Sequence, residues 1–211
     1  MTTLLLVRHG ESVGNLARLL AGHLDVSLTE KGLKQAELTA KYLAERYKVD
    51  EIYSSDLARA YQTALTLSSR IGVPVQRDRA LREIDVGVRT GIKYDDYKRD
   101  FPSEYEIWQQ DAGKMKFPNG ESTVEMADRI WRKLKEIVDK NEGKTVAVFT
   151  HATPIKSVCC RLMGIELLEM QKSPWGDNAS INVLGVEKGE YTLISWNVTE
   201  HMGELVTKII I

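Results

Sequence analysis

Residues 4–12 of the chain read LLLVRHGES: four apolar residues, then Arg8, His9 and Gly10. A continuous apolar run predicts a strand over residues 3–8 that is buried on both faces, as in the middle of a parallel sheet covered by helices. Ligands of such sheets bind beyond the carboxyl ends of the strands. Arg8 and His9 are therefore predicted to face a ligand, and Gly10, without a Cβ, allows a close backbone approach.

Strand and helix patterns alternate through the rest of the chain. Amphipathic or capped segments predict helices at 33–47, 57–71 and 122–137. Short apolar runs predict further strands at 52–54, 146–149, 179–186 and 190–197. This order predicts an α/β protein, a three-layer α/β/α sandwich with a mainly parallel central sheet. Residues 1–211 are expected to form one domain, with a small cap inserted at about 88–120 over the active site.

Composition narrows the function classes. Lysine plus arginine number 29 and aspartate plus glutamate number 30, so the net charge is −1. No overall basic field favours nucleic acid or an anionic membrane surface as a partner. Cys159 and Cys160 are adjacent, which suits neither a disulfide framework nor a zinc site. These features predict a cytoplasmic protein with reduced thiols.

Basic side chains follow three of the predicted strands. Arg8 and His9 follow the first, His151 follows VAVFT, and Arg59 lies in the first helical turn after YSSDL. Because parallel strands end at one edge of a sheet, these groups are expected to converge. A helix start also favours an anion. Two histidines and two arginines can thus surround one phosphate-sized group.

Five segments carry a family resemblance, in order and over residues 3 to about 160. They are VRHGES with Asn15, SLTEKGLKQA, YSSDLARAYQTA, LREID and VFTHATPI. Together they resemble the histidine phosphatase superfamily, in its phosphoglycerate mutase-like branch, nearest the broad-specificity phosphatases. The resemblance implies the phosphoglycerate mutase-like fold and hydrolysis of small phosphomonoesters without a metal or other cofactor.

The resemblance also implies roles for individual residues. His9 would be the nucleophile that becomes phosphohistidine, and Glu83 would donate a proton to the leaving group. The remaining implied contacts are to the phosphoryl group or the substrate: Arg8, Asn15, Arg59, His151 and Ala152. These types fit the chemistry, because a nucleophilic histidine must be neutral with its tautomer fixed, and arginine forks match phosphoryl oxygens. Asp85, in the same segment as Glu83, is the alternative acid.

The chain departs from the family pattern on the substrate side. Ala21 replaces a frequent glutamine, for which His23 is a candidate substitute, and VRTG at 88–91 replaces another common motif. No basic stretch of the kind that mutases use to hold a three-carbon acid follows Glu83. Two alternatives stay open: a cofactor-dependent phosphoglycerate mutase, and a non-catalytic regulator that binds a phosphorylated ligand.

Two further features are ambiguous from the sequence. Five aromatic residues either line the substrate entrance or pack within the cap: Tyr94, Tyr97, Tyr105, Trp108 and Trp175. The apolar C-terminus, Thr207–Ile211, is either a packed tail or the contact of a homodimer.

Overall fold

A computed structural model describes residues 1–207 of the chain. Six strands form one sheet in the order β3-β2-β4-β1-β5-β6. Strands β3, β2, β4 and β1 are parallel to one another. Strand β5 pairs antiparallel with β1, and β6 pairs antiparallel with β5. The strands are β1 (Thr2–Arg8), β2 (Glu51–Ser54), β3 (Val75–Arg77), β4 (Thr145–Thr150), β5 (Ile181–Glu187) and β6 (Glu190–Val198). The predicted α/β class and mainly parallel sheet are confirmed.

Helices cover both faces of this sheet. They are α1 (Val13–Leu16), α2 (Glu30–Arg46), α3 (Ala58–Ile71), α4 (Tyr94–Asp100), α5 (Pro102–Asp111), α6 (Thr123–Lys140) and α7 (Ala152–Leu162). One apolar cluster joins α2 and α3 to one face, and a second joins α6 and α7 to the other. The arrangement has the three layers that the alternation of patterns predicts.

Strand β1 lies at the centre of the sheet, paired with β4 on one side and β5 on the other. Leu4 and Leu6 face the α6–α7 layer, whereas Leu5 and Val7 face the α2–α3 layer. Each of the four side chains is at most 1% exposed. Burial on both faces explains why the run is continuously apolar, and it fixes the position of the residues that follow β1.

Local signals set the helix ends. Thr29 caps α2 by accepting the backbone N–H of Gly32, and Ser122 and Glu125 form the predicted capping box of α6. Gly72 ends α3 in the left-handed region, with φ 77°. Each signal satisfies backbone groups that a helix end leaves unpaired.

The inserted segment contains α4 and α5 and has its own apolar cluster. Tyr97, Trp108 and Phe117 are buried there together with Met126 of α6 and Met170. A bidentate pair between Arg89 and Glu104 joins the start of the insertion to α5. This cluster is separate from the two that flank the sheet.

Three remaining observations concern membranes, thiols and the C-terminus. Within residues 1–207, no helix combines the length and the apolarity needed to cross a bilayer. Cys159 and Cys160 are buried and free. The hydroxyl of Thr207 bonds the side chains of Gln35 and Glu11. The rest of the predicted tail or dimer contact, 208–211, lies outside the described residues, and the homodimer stays a prediction.

Candidate active site

The carboxyl ends of β1 and β4 bring two histidines together. Arg8 pairs with Thr150 in the parallel register, so the next residues, His9 and His151, lie side by side. Their ring centroids are 5.1 Å apart, with the planes inclined by 62°. Next to them is a cavity of about 300 Å³. The predicted site residues that line it are Arg8, His9, Asn15, Arg59, Glu83 and Ala152.

The His9 ring is held in one orientation by its own loop. Its Nδ1–H donates to the carbonyl of Gly10 at 2.7 Å, which leaves the lone pair on Nε2. Burial, together with the guanidiniums of Arg59 and Arg8, lowers the pKa of His9 well below 6.5. The ring is therefore neutral at physiological pH and carries a free nucleophilic nitrogen.

Gly10 is required by a close approach of β1 to α2. A Cβ on Gly10 would lie 2.5 Å from the carbonyl oxygen of Gly32, and one on Gly32 would be closer still to the Glu11 carbonyl. The backbone N–H of Gly10 donates to the Thr63 hydroxyl of α3. The loop that carries His9 is thus fixed between two helices.

Arg8 and Arg59 place two buried positive charges beside His9. Arg8 Nη1 donates to the Gly176 carbonyl at 2.7 Å. Arg59 donates to the carbonyls of Leu24 and Gly22, both at 2.8 Å. Burial lowers each arginine pKa to about 10, against the opposing effect of Glu83, so both remain charged at neutral pH. Neither is paired with a carboxylate at ion-pair distance among residues 1–207, which leaves both charges for an anionic ligand.

His151 packs behind His9 and does not line the cavity. Its Nε2 lies 2.9 Å from the Ser55 hydroxyl. That hydroxyl accepts the backbone N–H of Leu57, and when its own hydrogen is donated to Nε2 the ring proton lies on Nδ1. This Nδ1 is buried and has no partner within the described residues. Burial, with Arg59 and His9, lowers the pKa of His151 well below 6.5.

Glu83 reaches the cavity from the segment before the insertion. Its carboxylate accepts the backbone N–H of Ile84 at 2.9 Å and that of Thr153, in the first turn of α7, at 3.4 Å. Asp85, the alternative acid, does not line the cavity; it accepts the Gly87 N–H instead. Of the two acids in LREID, the structure therefore brings Glu83 to His9.

Asn15 lines the cavity but is also a structural residue. Its Oδ1 accepts from the backbone and hydroxyl of Ser12 and from the Asn178 side chain. The capping box of α1 is built on these bonds. The Nδ2 amide is then the part of Asn15 that can donate to a ligand.

The substitute proposed for the missing glutamine does not enter the site. Ala21 lines the cavity, whereas His23 does not. The His23 ring lies against the Glu83 carbonyl, with Nε2 at 2.9 Å from the oxygen. The cavity wall at Ala21 is consequently apolar.

Part of the cavity lining is aromatic. Tyr94, Trp108 and Trp175 line it, and the two indoles lie 6.0 Å apart. Tyr97 and Tyr105 belong to the cluster inside the cap. Of the five aromatic residues that the sequence left ambiguous, three therefore line the cavity and two pack within the segment that contains α4 and α5.

Three residues of the site were not found by sequence reasoning. Asn178 donates to the His9 carbonyl, Ser55 contacts His151, and the Arg129 guanidinium bonds the carbonyls of Ala80, Arg82 and Glu83. Ser55 directly follows β2, so the strand-end rule that selected Arg8 would also have selected it. Asn178 and Arg129 lie in no motif and gave no signal.

Side chains that could bind a metal do not cluster in the described part of the chain. Within residues 1–207, no cluster of three or more His, Cys, Asp and Glu side chains could hold a metal ion. The positive charge at the cavity comes from guanidiniums: the buried ones of Arg8 and Arg59 and the partly exposed one of Arg18.

Comparison with known proteins agrees with the fold and identifies the family. Residues 4–199 match the family model described as histidine phosphatase superfamily (branch 1). Phosphoserine phosphatase 1 of Hydrogenobacter thermophilus is 33% identical over 97% of this chain and 96% of its own. A metal-independent phosphoserine phosphatase of Arabidopsis thaliana is 31% identical over 97% of this chain and 85% of its own.

Solved structures show the same likeness. Bacillus stearothermophilus YhfR superposes with a TM-score of 0.91 and 29% identity, over 96% of this chain and 100% of its own. The family resemblance that the five motifs indicate is confirmed, because the family model matches residues 4–199 and so extends well beyond the last motif. The chain is a member of branch 1 of the histidine phosphatase superfamily.

Proposed function

We propose that the protein hydrolyses small phosphomonoesters through a phosphohistidine formed on His9. The observation that carries the proposal is the His9 ring itself. It is neutral, oriented by the Gly10 carbonyl, and flanked by two buried guanidiniums beside a cavity that also holds Glu83. Phosphatase names among the full-length relatives support the same reaction class.

Substrate binding uses the positive charges. The phosphoryl oxygens are held by Arg8 and Arg59, with Nδ2 of Asn15 as a further donor; His151, which does not line the cavity, packs against the ring of the nucleophile from behind. The backbone N–H of Ala152, at the start of α7, favours the same anion. Because the guanidiniums are fixed by backbone carbonyls, they need little reorganisation as charge develops on the phosphoryl group.

The first chemical step transfers the phosphoryl group to the enzyme. Nε2 of His9 bonds to phosphorus while the bond from phosphorus to the ester oxygen breaks. Protonated Glu83 gives its proton to that oxygen, so that an alcohol leaves. The enzyme then holds a phosphohistidine and a Glu83 carboxylate.

The second step releases phosphate. The Glu83 carboxylate takes a proton from a water molecule whose oxygen bonds to phosphorus, and the bond from phosphorus to Nε2 breaks. His9 returns to its neutral form and Glu83 to its protonated form. Two steps of moderate difficulty replace one difficult displacement.

A trapping experiment tests the intermediate. Wild-type enzyme mixed with labelled p-nitrophenyl phosphate and quenched in alkali, which preserves phosphohistidine, is expected to carry label on His9. His9→Ala should lose turnover and label, whereas His201→Ala, a histidine outside the cavity, should keep both. Label on another residue, or none in a single turnover, contradicts the proposal.

The mutase alternative is separated by its products. With 3-phosphoglycerate we expect inorganic phosphate and little 2-phosphoglycerate, because no basic stretch after Glu83 would retain the dephosphorylated acid and Ala21 adds no polar contact. Nuclear magnetic resonance of the products decides the matter. Isomer formed faster than phosphate would assign the mutase reaction instead. Absence of turnover in the presence of phosphate binding would assign the regulator.

Independence from metal and a cytoplasmic location complete the proposal. Hydrolysis of p-nitrophenyl phosphate is expected to survive exhaustive treatment with EDTA; activity lost to the chelator and restored by a divalent ion would contradict this. The free thiols of Cys159 and Cys160 support a reducing compartment.

A further inference from the structure

Lys156 of α7 is buried without an acidic partner. Its side chain is 0% exposed, and no carboxylate within residues 1–207 lies within ion-pair distance of it. The ammonium instead donates to the Ser173 carbonyl at 2.6 Å and to Oε1 of Gln171 at 3.3 Å. It also lies over the indole of Trp175, 4.2 Å from the ring centroid. A buried ammonium is costly unless its hydrogen bonds are satisfied, so these contacts determine its place.

Two of the three partners of Lys156, Ser173 and Trp175, belong to a segment that lines the cavity. We name residues 173–178 the wall segment. Within it, Trp175 lines the cavity, the Gly176 carbonyl accepts Arg8, and Asn178 donates to the His9 carbonyl. One buried side chain thus supports, from behind, the segment that faces both the leaving group and the phosphoryl site.

We propose that Lys156 is a positioning residue that determines specificity for the leaving group, by holding the indole of Trp175 in place as the cavity wall. This inference rests on the proposed function only in taking the cavity beside His9 as the phosphoryl site. The contact is electrostatic, because the indole face attracts a cation and a neutral amine would not replace it. The Trp108 indole, 6.0 Å from that of Trp175, extends the same wall.

The charge on Lys156 is lost more easily than that of an exposed lysine. Burial lowers its pKa to about 8. The titratable group that faces it is Cys160, on the same helix, whose own thiol pKa is raised by burial; Gln171, Ser173 and Trp175 are uncharged. Arg8 and Arg59, with pKa values of about 10, keep their charge up to about pH 9. Between about pH 7 and pH 9, Lys156 is therefore the group expected to change the wall.

Binding of two phosphonates tests the proposal without relying on turnover. Benzylphosphonate carries an aromatic group for the wall and methylphosphonate does not. By titration calorimetry, Lys156→Met should weaken benzylphosphonate on the order of tenfold relative to methylphosphonate, the size of coupling expected between contacting groups. The matched control is Lys144→Met, a lysine before β4 that pairs with Glu51 and should leave the ratio unchanged.

Two further measurements keep the outcome decisive. In the Trp175→Leu background, Lys156→Met should no longer change the ratio, since the indole it supports is gone. In wild type, the preference for benzylphosphonate should decline from about pH 7 to about pH 9, a readout that needs no variant to fold. If the ratio of benzylphosphonate to methylphosphonate affinity is unchanged in Lys156→Met, the inference is overturned. If that variant does not fold, a wild-type ratio that stays constant with pH overturns it instead. If wild type binds neither phosphonate, the phosphoryl site itself is wrong.

Discussion

At the scale of single residues, Glu83 is held by backbone groups rather than by a basic side chain. Its oxygens accept the N–H groups of Ile84 and Thr153, and the neighbouring Arg82 pairs with Asp56 instead. The carboxyl is therefore oriented by its own backbone and by the first turn of α7. This arrangement suits a group that must both give and take a proton.

Glu83→Gln is expected to slow esters of alkyl alcohols much more than p-nitrophenyl phosphate. General acid catalysis is worth about 10² to 10⁴-fold, and p-nitrophenolate leaves with little help from a proton. Values of kcat/KM for phenethyl phosphate and p-nitrophenyl phosphate measure the difference. Asp85→Asn, a change of the same kind outside the cavity, should affect both esters alike. Equal sensitivity of the two esters to Glu83→Gln would move the acid role elsewhere.

Ser55 is expected to set the tautomer of His151. In Ser55→Ala the hydroxyl that donates to Nε2 is absent, and a buried nitrogen left unpaired costs about 1–3 kcal/mol. Nitrogen-15 spectra of the ring should show the proton on Nδ1 in wild type and a mixture in the variant, with weaker binding of inorganic phosphate. Ser54→Ala removes a neighbouring buried hydroxyl that bonds the Ser55 carbonyl and should leave the ring spectrum unchanged.

The site residues found from local pattern are those fixed by a strand end or a helix start, whereas Glu83 and Asn15 were found through the family resemblance. Arg8, His9 and Arg59 follow directly from such positions, because the direction of a parallel strand determines where its next residues lie. Asn178 reaches His9 from the other end of the chain, through a loop with no periodic pattern. A contact of this kind depends on the packing of the whole molecule, which local sequence does not specify.

At the scale of secondary-structure elements, the meeting of β1 and α2 depends on two glycines. Gly10→Ala is expected to destabilise the fold by about 1–3 kcal/mol, because its Cβ would overlap the Gly32 carbonyl and separate the two elements. Urea unfolding measures the change. Gly14→Ala is the matched control, since its Cβ would have no neighbour closer than 3.4 Å. Equal effects of the two substitutions would show that the close approach carries no particular cost.

Element boundaries were less accessible from the sequence than element types. The strand predicted at 179–186 is observed as Ile181–Glu187. Ala179 lies in the left-handed region, with φ 58°, and its N–H donates to the His9 carbonyl. Residue 179 is apolar and buried like a strand residue, but it serves the active site rather than the sheet.

At the scale of the whole molecule, two neutral buried histidines make stability depend on pH. The pKa values of His9 and His151 lie well below 6.5 in the folded protein, whereas an unfolded chain titrates near its ordinary value. The unfolded state therefore binds more protons as pH falls below 6.5. Stability from these two groups is fully present above that pH and is lost below it.

We expect the free energy of unfolding to fall with decreasing pH below about 6.5, by up to about 1.4 kcal/mol per pH unit for each histidine. Urea unfolding at a series of pH values measures the slope. His9→Gln and His151→Gln should each flatten it. The same slope in both variants and wild type would show that other groups cause the acid sensitivity.

Helices α4 and α5 pack in a third hydrophobic cluster, which also includes Met126 of α6 and Cys160 of α7 and is distinct from the two that join the helices to the sheet. The walls of the cap can therefore be rebuilt while the nucleophile stays where β1 and β4 put it. For an engineer, this separates two tasks: libraries that vary Trp108 are expected to alter which alcohol is accepted, whereas Trp175, whose segment bonds Arg8 and the His9 carbonyl, is kept. Proteins that evolve from such a fold would differ in the substrates they accept while sharing one reaction.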